Sequence, residues 1–159
     1  TDSAGIVLSN IFYIHQQMLG IDIVVATGAE LPQAHAFLAD VKDRGHKIYA
    51  ATNGVSFIQR GRLQASSILP FFDDVFISDE VGAHKPSTDF FDKIANQVHD
   101  FHPSSALMIG DSLTADIQGG NNAGIDSVWF NPSNIVNETP AVPTYQVKSY
   151  EEILKILSK

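Results

Sequence analysis

Short apolar runs alternate with amphipathic stretches along the chain from about residue 31 onward. Each run is continuously apolar, which is typical of strands buried on both faces of a parallel sheet. Each stretch between two runs places apolar residues at helical spacing, with Pro32 in a first turn and Gly45 after a last one. The pattern predicts strands at 47–52, 75–78, 106–111 and 127–130, and helices at about 32–44, 56–66, 88–98 and 113–123.

This alternation predicts an α/β fold: a three-layer α/β/α, Rossmann-like, mostly parallel sheet, whose ligands bind beyond the carboxyl ends of the strands. A short strand at 145–148 and a last helix capped by Ser149 complete the pattern.

The first 30 residues do not show this alternation of apolar runs and amphipathic stretches. Residues 10–19 predict a helix, whereas 21–26 fit either a strand or the end of another helix, and the sequence does not decide between them.

Composition narrows the range of partners. The chain has 159 residues with 44% hydrophobic and 18% charged, so we expect one folded domain with a real core. A formal charge of −8 disfavours binding to a nucleic acid polymer. We expect no membrane segment, because no apolar run approaches the ~20 residues that span a bilayer. The absence of cysteine and of a basic leader makes the cytoplasm the expected location, and the sequence indicates no oligomeric state.

Polar residues follow the predicted strands at the edge where a ligand would bind. Thr52, Asn53 and Gly54 come after the first strand, and their hydroxyl, carboxamide and backbone N–H groups could form a phosphate cradle. Lys85 lies in the turn after the second strand. A lysine about 4 Å from a phosphate oxygen gains roughly 4 kcal/mol at an effective dielectric constant of 20. Each feature alone is more often only a turn, a cap or a surface charge.

A pair of carboxylates follows the third strand. Asp111 ends the strand, and Asp116 lies about one helical turn further on, so both can face one site. Together with water and a phosphate oxygen they would complete the all-oxygen shell that Mg²⁺ prefers. They could also simply cap a helix N-terminus. The coincidence of a donor, a cation and a carboxylate pair at three strand ends favours a functional site.

Several short motifs between residues 31 and 159 carry a family resemblance: Ala51-Thr52-Asn53-Gly54, Gln59 with Arg62-Leu63, Phe71-Phe72-Asp73, Ile77-Ser78, Val81-Gly82 with Lys85-Pro86, Gly110-Asp111-Ser112 with Asp116, and Gly119-Gly120 with Ala123-Gly124. Together they resemble the haloacid dehalogenase-like hydrolases, phosphatase branch. The resemblance implies that Thr52 and Lys85 are catalytic and contact the phosphoryl group, and that Asp111 and Asp116 hold Mg²⁺ directly or through water. Residues 54–91 look most like pyrimidine 5′-nucleotidases, which implies a small phosphorylated metabolite, such as a nucleotide, as substrate.

The chain departs from this family at the nucleophile. The family uses the first aspartate of an Asp-x-Asp-x-Thr motif at the end of an N-terminal strand, and no such motif is present. We therefore expect 31–159 to be a core lacking its first strand, with 1–30 a partial cap or connector. Three accounts stay open: a fragment of a longer protein, a strand from another chain, or an early segment such as 21–27 filling the gap. We favour a fragment that is inactive alone.

Two other functional classes remain as alternatives. A catalytically silent member of the same fold would bind a phosphate or a protein without turnover. A receiver-type signalling domain also combines Asp, Thr and Lys, but there the phosphorylated Asp comes first, whereas here Thr52 and Lys85 precede Asp111. Of the six histidines, His99 and His102 are expected in a surface loop, and His84 could touch substrate or solvent.

Overall fold

The computed structural model describes residues 5–9 and 32–158. These residues form a six-stranded sheet with strand order β3-β2-β1-β4-β5-β6, and all five pairings are parallel. The α/β fold with a parallel sheet is confirmed. The strands are β1 (Gly5–Ser9), β2 (Lys47–Thr52), β3 (Asp74–Ile77), β4 (Leu107–Gly110), β5 (Asp126–Phe130) and β6 (Tyr145–Val147).

The helices follow the predicted order. They are α1 (Pro32–Asp43), α2 (Ser56–Ala65), α3 (Ser78–Val81), α4 (Thr88–Gln97), α5 (Gln118–Ala123) and α6 (Tyr150–Leu157), with short 3₁₀ turns at Leu69–Phe71 and Pro103–Ser105. The helix predicted at 113–123 begins instead as a π-helical turn, Leu113–Ile117. Ser149 caps α6 as predicted, because its side chain accepts a hydrogen bond from the Glu152 amide. Within the described ranges, no helix is long and apolar enough to cross a membrane.

Helices cover both faces of the sheet and give the three layers. Alternate residues of β2 point to opposite faces, as the strand period of two requires. Ile48 packs in a core with α1 and α6, and Ala50 packs with Leu63 of α2. Tyr49 and Ala51 pack on the other side against the aromatic residues of α4. Because both faces are buried, β2 reads as a continuous apolar run.

The structure corrects the expected absence of a central strand. β1 lies between β2 and β4, with Ile6 in register with Ile48 on one side and with Leu107 on the other. An early segment, residues 5–9, therefore fills the gap, as the third account allowed; residues 21–27 lie outside the described residues. These five residues satisfy the hydrogen-bonding edges of both neighbouring strands, which would otherwise be exposed. Residues 5–9 thus belong to the sheet and not to a cap, and the elements predicted at 10–19 and 21–26 lie outside the described residues.

Candidate functional site

The candidate site lies at the carboxyl edge of the sheet, where the loops after β2, β3 and β4 meet. Thr52 is the last residue of β2, and Asp111 directly follows β4, the strand on the other side of β1. Lys85 comes from the loop after α3, which ends at Gly82 with φ of 79°. That left-handed conformation suits glycine and turns the chain back toward the sheet.

Lys85 is a buried cation at the centre of this edge. Its residue is 1% exposed, and its Nζ donates to Asp116 Oδ1 at 2.8 Å and to the backbone oxygen of Ala51 at 2.8 Å. Neither side chain of the ion pair has any exposed surface. A lone buried charge would be strongly unfavourable, so the two groups hold each other in place. The positive charge predicted at residue 85 is therefore fixed in the site rather than solvated in a loop.

Asp116 reaches Lys85 because of the π-helical turn and a glycine. Its second oxygen, Oδ2, accepts a hydrogen bond from the Ser112 amide at 3.1 Å. A Cβ atom at Gly110 would lie 2.5 Å from both Cβ and Cγ of Asp116, so only glycine allows this approach. Both carboxylate oxygens of Asp116 thus accept hydrogen bonds from protein groups, and its side chain lies against Lys85.

Asp111 differs from Asp116 because one of its oxygens is buried without a partner. Among the described residues, none donates a hydrogen bond to Asp111 Oδ1. Burial, followed by the negative charge of Asp116, raises the pKa of Asp111 to about 7. The backbone is held in place, since Trp129 Nε1 donates to the Asp111 carbonyl oxygen at 3.0 Å. An unsatisfied buried carboxylate oxygen requires an explanation, and a cation ligand is one.

Mg²⁺ fits this donor set. The described residues contain no cluster of three or more His, Cys, Asp or Glu side chains that could hold a metal ion. Mg²⁺ does not need such a cage, because it commonly keeps several waters and binds through one or two carboxylates plus a substrate phosphate. Asp111 would be the direct ligand. The ion would supply positive charge to a phosphoryl oxygen and stabilise the ionised form of Asp111.

Thr52 is held by a residue of α2. Gln59 Nε2 donates to Thr52 Oγ1 at 3.0 Å and to the backbone oxygen of Asn53 at 3.2 Å. The loop between them is fixed further by Ser78, whose Oγ accepts a hydrogen bond from the Gly54 amide at 2.9 Å. The hydroxyl predicted to contact phosphate is therefore held in a defined position at the end of β2.

Two residues of the predicted cradle have other partners in the structure. The Asn53 side chain donates from Nδ2 to the Lys85 carbonyl oxygen and accepts at Oδ1 from the Lys85 amide, each at 3.0 Å. Its carboxamide therefore positions the Lys85 loop instead of facing a phosphate. The Gly54 amide is likewise directed to Ser78 and not to an anion. Asn53 and Gly54 thus have protein partners in this structure, and their contact with a phosphate stays a prediction.

The sequence did not single out Gln59, Ser78 and Trp129 as site residues. Gln59 lies in the first turn of α2, and Gln59 and Ser78 both belong to motifs of the family resemblance, which was the available signal. Trp129 forms a hydrogen bond to a loop that is distant in sequence, so no local pattern reveals it.

A shallow cavity of about 470 Å³ lies beside this edge. It is bounded by the loop after β2 and by the segment around α3, and His84 lines it. His84 therefore faces a space next to Lys85, where part of a ligand could lie. By contrast, His99 is 89% exposed and pairs with Asp100, as expected for a surface loop.

Comparison with known proteins identifies the family. The family described as haloacid dehalogenase-like hydrolase matches residues 7–124 of this chain. The chain belongs to this family. The pyrimidine 5′-nucleotidase PynA of Streptococcus pneumoniae is 47% identical over 148 residues, which cover 93% of this chain and 58% of PynA. The pyrimidine 5′-nucleotidase YjjG of Escherichia coli is 36% identical over 129 residues, covering 81% of this chain and 57% of YjjG.

A solved structure agrees with the assignment. The HAD-hydrolase YfnB of Bacillus subtilis, bound to magnesium, aligns with a TM-score of 0.77 at 37% identity. The alignment covers 81% of this chain and 56% of YfnB. The resemblance predicted from the sequence motifs is thus confirmed at the level of family and fold. The chain spans about half the length of the curated relatives it matches.

Proposed function

We propose that this chain carries the phosphate-binding and metal-binding part of a Mg²⁺-dependent phosphomonoester hydrolase. The observation that carries the proposal is the juxtaposition of a buried cation and a partly unsatisfied carboxylate at one sheet edge. Lys85 supplies the fixed positive charge, and Asp111 supplies a buried oxygen without a described hydrogen-bond partner. A phosphate monoester at this edge would have its negative charge offset by Lys85 and by a metal ion held by Asp111.

Each residue has a distinct proposed task. Thr52 donates its hydroxyl hydrogen to a phosphoryl oxygen, and Lys85 offsets the phosphate charge from within a dry environment, where Coulomb attraction is weakly screened. Asp116 acts on Lys85 through the 2.8 Å ion pair and holds it in this position. Asp111 would hold Mg²⁺ directly, and Asp116, whose two oxygens accept from Lys85 and Ser112, would act on the ion only through water.

The covalent step needs a nucleophile that β1 does not carry. The family's aspartyl-phosphate mechanism places an aspartate at the carboxyl end of the central strand, but β1 has the sequence Gly-Ile-Val-Leu-Ser. Asp40 and Asp43 lie on α1, and Asp74 begins β3 at the opposite edge of the sheet. We therefore propose that the nucleophile is supplied by a segment of a longer protein that takes the place of β1 between β2 and β4, and that the chain alone binds phosphate without turning over an ester.

The proposed substrates are small phosphorylated metabolites. Two of the relatives are pyrimidine 5′-nucleotidases, and others are a phosphoserine phosphatase of Thermus thermophilus and a human N-acylneuraminate-9-phosphatase. The substrates differ, but all are phosphate monoesters. Pyrimidine nucleoside monophosphates are the first candidates because PynA is 47% identical to this chain.

A second candidate function is a silent binding member of the same fold. The observation that favours it is again the β1 sequence, which lacks a carboxylate. In that case a longer protein would not turn over an ester either. Phosphate or a protein partner would bind to the same sheet edge without reaction. The two candidates agree on phosphate binding by the chain and differ only in the activity of any longer protein.

Calorimetric titration and a hydrolysis assay test the proposal. We expect the chain to bind inorganic phosphate in the presence of Mg²⁺ and to leave uridine monophosphate uncleaved. Lys85→Met should remove phosphate binding, whereas Lys155→Met, at a 71% exposed lysine of α6, should leave it unchanged. A longer protein that contains an Asp-x-Asp segment should cleave the ester. Absence of phosphate binding by the chain would refute the proposal, and turnover by the chain alone would refute the external nucleophile.

A further inference from the structure

We propose that Asp79 makes the cavity beside Lys85 select phosphomonoesters whose organic part is uncharged and disfavour those that carry a second anionic group. This inference rests on the proposed phosphate-binding function and adds to it a rule for the rest of the substrate. Asp79 belongs to none of the motifs that carry the family resemblance, so the assignment comes from the structure.

The position of the cavity suits the organic part of a substrate. Asn53 and Gly54, which line it, directly follow Thr52, and His84, which also lines it, directly precedes Lys85. A phosphoryl group bound by Thr52 and Lys85 would therefore have its ester substituent beside this cavity. The volume of about 470 Å³ lies in the range of sites that bind small molecules.

Asp79 gives the cavity a negative charge. The residue is exposed and lines the cavity, and its Oδ2 accepts a hydrogen bond from the Ser56 amide at 2.9 Å. That amide is neutral, so the hydrogen bond positions the carboxylate without cancelling its charge. Within residues 5–9 and 32–158, none of the ion pairs includes Asp79.

The cations next to the cavity each face a different carboxylate. Arg60 pairs with Glu80 at 2.6 Å. Lys93 donates to the carbonyl oxygen of Gly82 at 3.4 Å, but its ammonium group also lies 3.7 Å from the Asp89 carboxylate. Their positive charges are therefore largely balanced by these partners, and the Asp79 charge is not balanced in the same way.

The resulting charges divide the site into two parts. Lys85 and a metal ion on Asp111 would offset the phosphoryl group, whereas the adjoining cavity carries the negative charge of Asp79. A second phosphate or a carboxylate placed in the cavity would be repelled, and repulsion of the wrong ligand is a source of specificity. A hydroxyl group can instead donate a hydrogen bond to the carboxylate, and the ring of His84 adds a further polar group.

Two matched phosphomonoesters test the inference in the chain itself. Glycerol 3-phosphate and 3-phosphoglycerate have the same length and differ in a terminal hydroxymethyl or carboxylate group. Calorimetric titrations with Mg²⁺ would be made at pH 8, above the usual range of histidine protonation, with inorganic phosphate as the reference. We expect glycerol 3-phosphate to bind about fivefold more tightly, the effect of one weakly screened charge. In about 0.5 M salt the preference should fall below about twofold.

Neutral variants identify the source of the preference. Asp79→Asn keeps an oxygen that can accept from the Ser56 amide, and it should tighten 3-phosphoglycerate about fivefold but glycerol 3-phosphate less than about twofold. Asp79→Ser also offers an oxygen and should give the same result. Glu151→Gln, at an 80% exposed carboxylate of α6, removes the same formal charge elsewhere and should keep the wild-type preference.

The outcomes distinguish this inference from the proposed function. If the wild type does not bind inorganic phosphate, the proposed function fails and the inference fails with it. If the wild type binds phosphate and the two esters equally well, only the charge selection is refuted. A preference that persists in Asp79→Asn and Asp79→Ser, or that Glu151→Gln removes as well, would also overturn the role of Asp79.

Discussion

Two charged side chains at this sheet edge have opposite surroundings. Lys85 is buried and paired, with Asp116 from the turn after β4 and the Ala51 carbonyl oxygen of β2 both at 2.8 Å. Asp111, which follows β4, has a buried oxygen without a hydrogen-bond partner among the described residues, and its pKa is raised to about 7 by burial and by Asp116. The Lys85–Asp116 pair needs no ligand to balance its charges. The buried Asp111 oxygen is unfavourable for folding unless a cation binds, which is why we propose the metal there.

Breaking the Lys85–Asp116 ion pair should have the largest effect on stability. Lys85→Met removes the ammonium group that faces the buried Asp116 carboxylate, and we expect a loss of about 3–5 kcal/mol in the free energy of unfolding. The double variant Lys85→Met with Asp116→Asn removes both charges and should recover most of that loss. Phosphate affinity should remain lost in both. Urea unfolding and phosphate titration measure the two properties separately, and a double variant as unstable as Lys85→Met would argue against a coupled pair.

Moving Asp116 without changing its charge gives the next largest effect. Gly110→Ala brings a Cβ atom within 2.5 Å of Asp116 and should cost about 1–3 kcal/mol as the carboxylate is displaced. Gly61→Ala is the matched control on α2, since a Cβ atom there meets nothing within 4 Å. That control should be neutral or more stable by about 0.5–1 kcal/mol. Equal thermal unfolding of both variants would contradict the close packing of Asp116.

Removing the charge of Asp111 should stabilise the fold, in contrast to the two changes above. Asp111→Asn removes a repelled, partly buried charge, so at pH 7 with EDTA it should stabilise the chain by roughly 1–2 kcal/mol. The same variant should lose any stabilisation by Mg²⁺ that the wild type shows. Thermal unfolding with and without Mg²⁺ measures both effects. If Asp111→Asn is destabilising without metal, the carboxylate has a structural partner and the contrast with Lys85 disappears.

Breaking the exposed ion pair between Arg60 and Glu80 should have the smallest effect on stability. Hydrogen bonds from Arg60 and then from Ser56 lower the pKa of Glu80 to about 2. A lowered carboxylate pKa stabilises the fold above the ordinary value of 4.5, and this contribution is lost as the pH falls from about 4.5 to about 2. Glu80→Gln should cost less than about 1 kcal/mol at pH 7, because solvent screens the pair. The difference from wild type should vanish near pH 2 in denaturant titrations.

Much of the fold could be predicted because its signals are local. The apolar run at 47–52 became β2 with the same bounds, and Ser149 capped α6 as expected. Residues 5–9 were missed for a physical reason. Five residues ending in serine resemble many short apolar segments, and their place between β2 and β4 depends on long-range pairing alone.

The position of the candidate site could be predicted from sequence, but its contacts could not. Lys85 and Asp111 were proposed as site residues because their types and strand-end positions indicate phosphate and metal chemistry. The acceptors of Asn53 and the role of Gln59 could not be read from spacing, since each depends on a contact between loops. The same holds for Asp116, whose engagement by Ser112 requires the π-helical turn.

Paramagnetic NMR with Mn²⁺ in place of Mg²⁺ tests the central claim most directly. Mn²⁺ prefers the same oxygen ligands and broadens the signals of nearby nuclei. We predict that, with phosphate present, Mn²⁺ broadens the amide signals of Asp111 and Ser112 first and those of Thr52 and Asn53 next, and that Asp111→Asn removes the effect. Broadening confined to the exposed loop of His99, or unchanged by Asp111→Asn, would contradict a metal and phosphate site at this edge of the sheet.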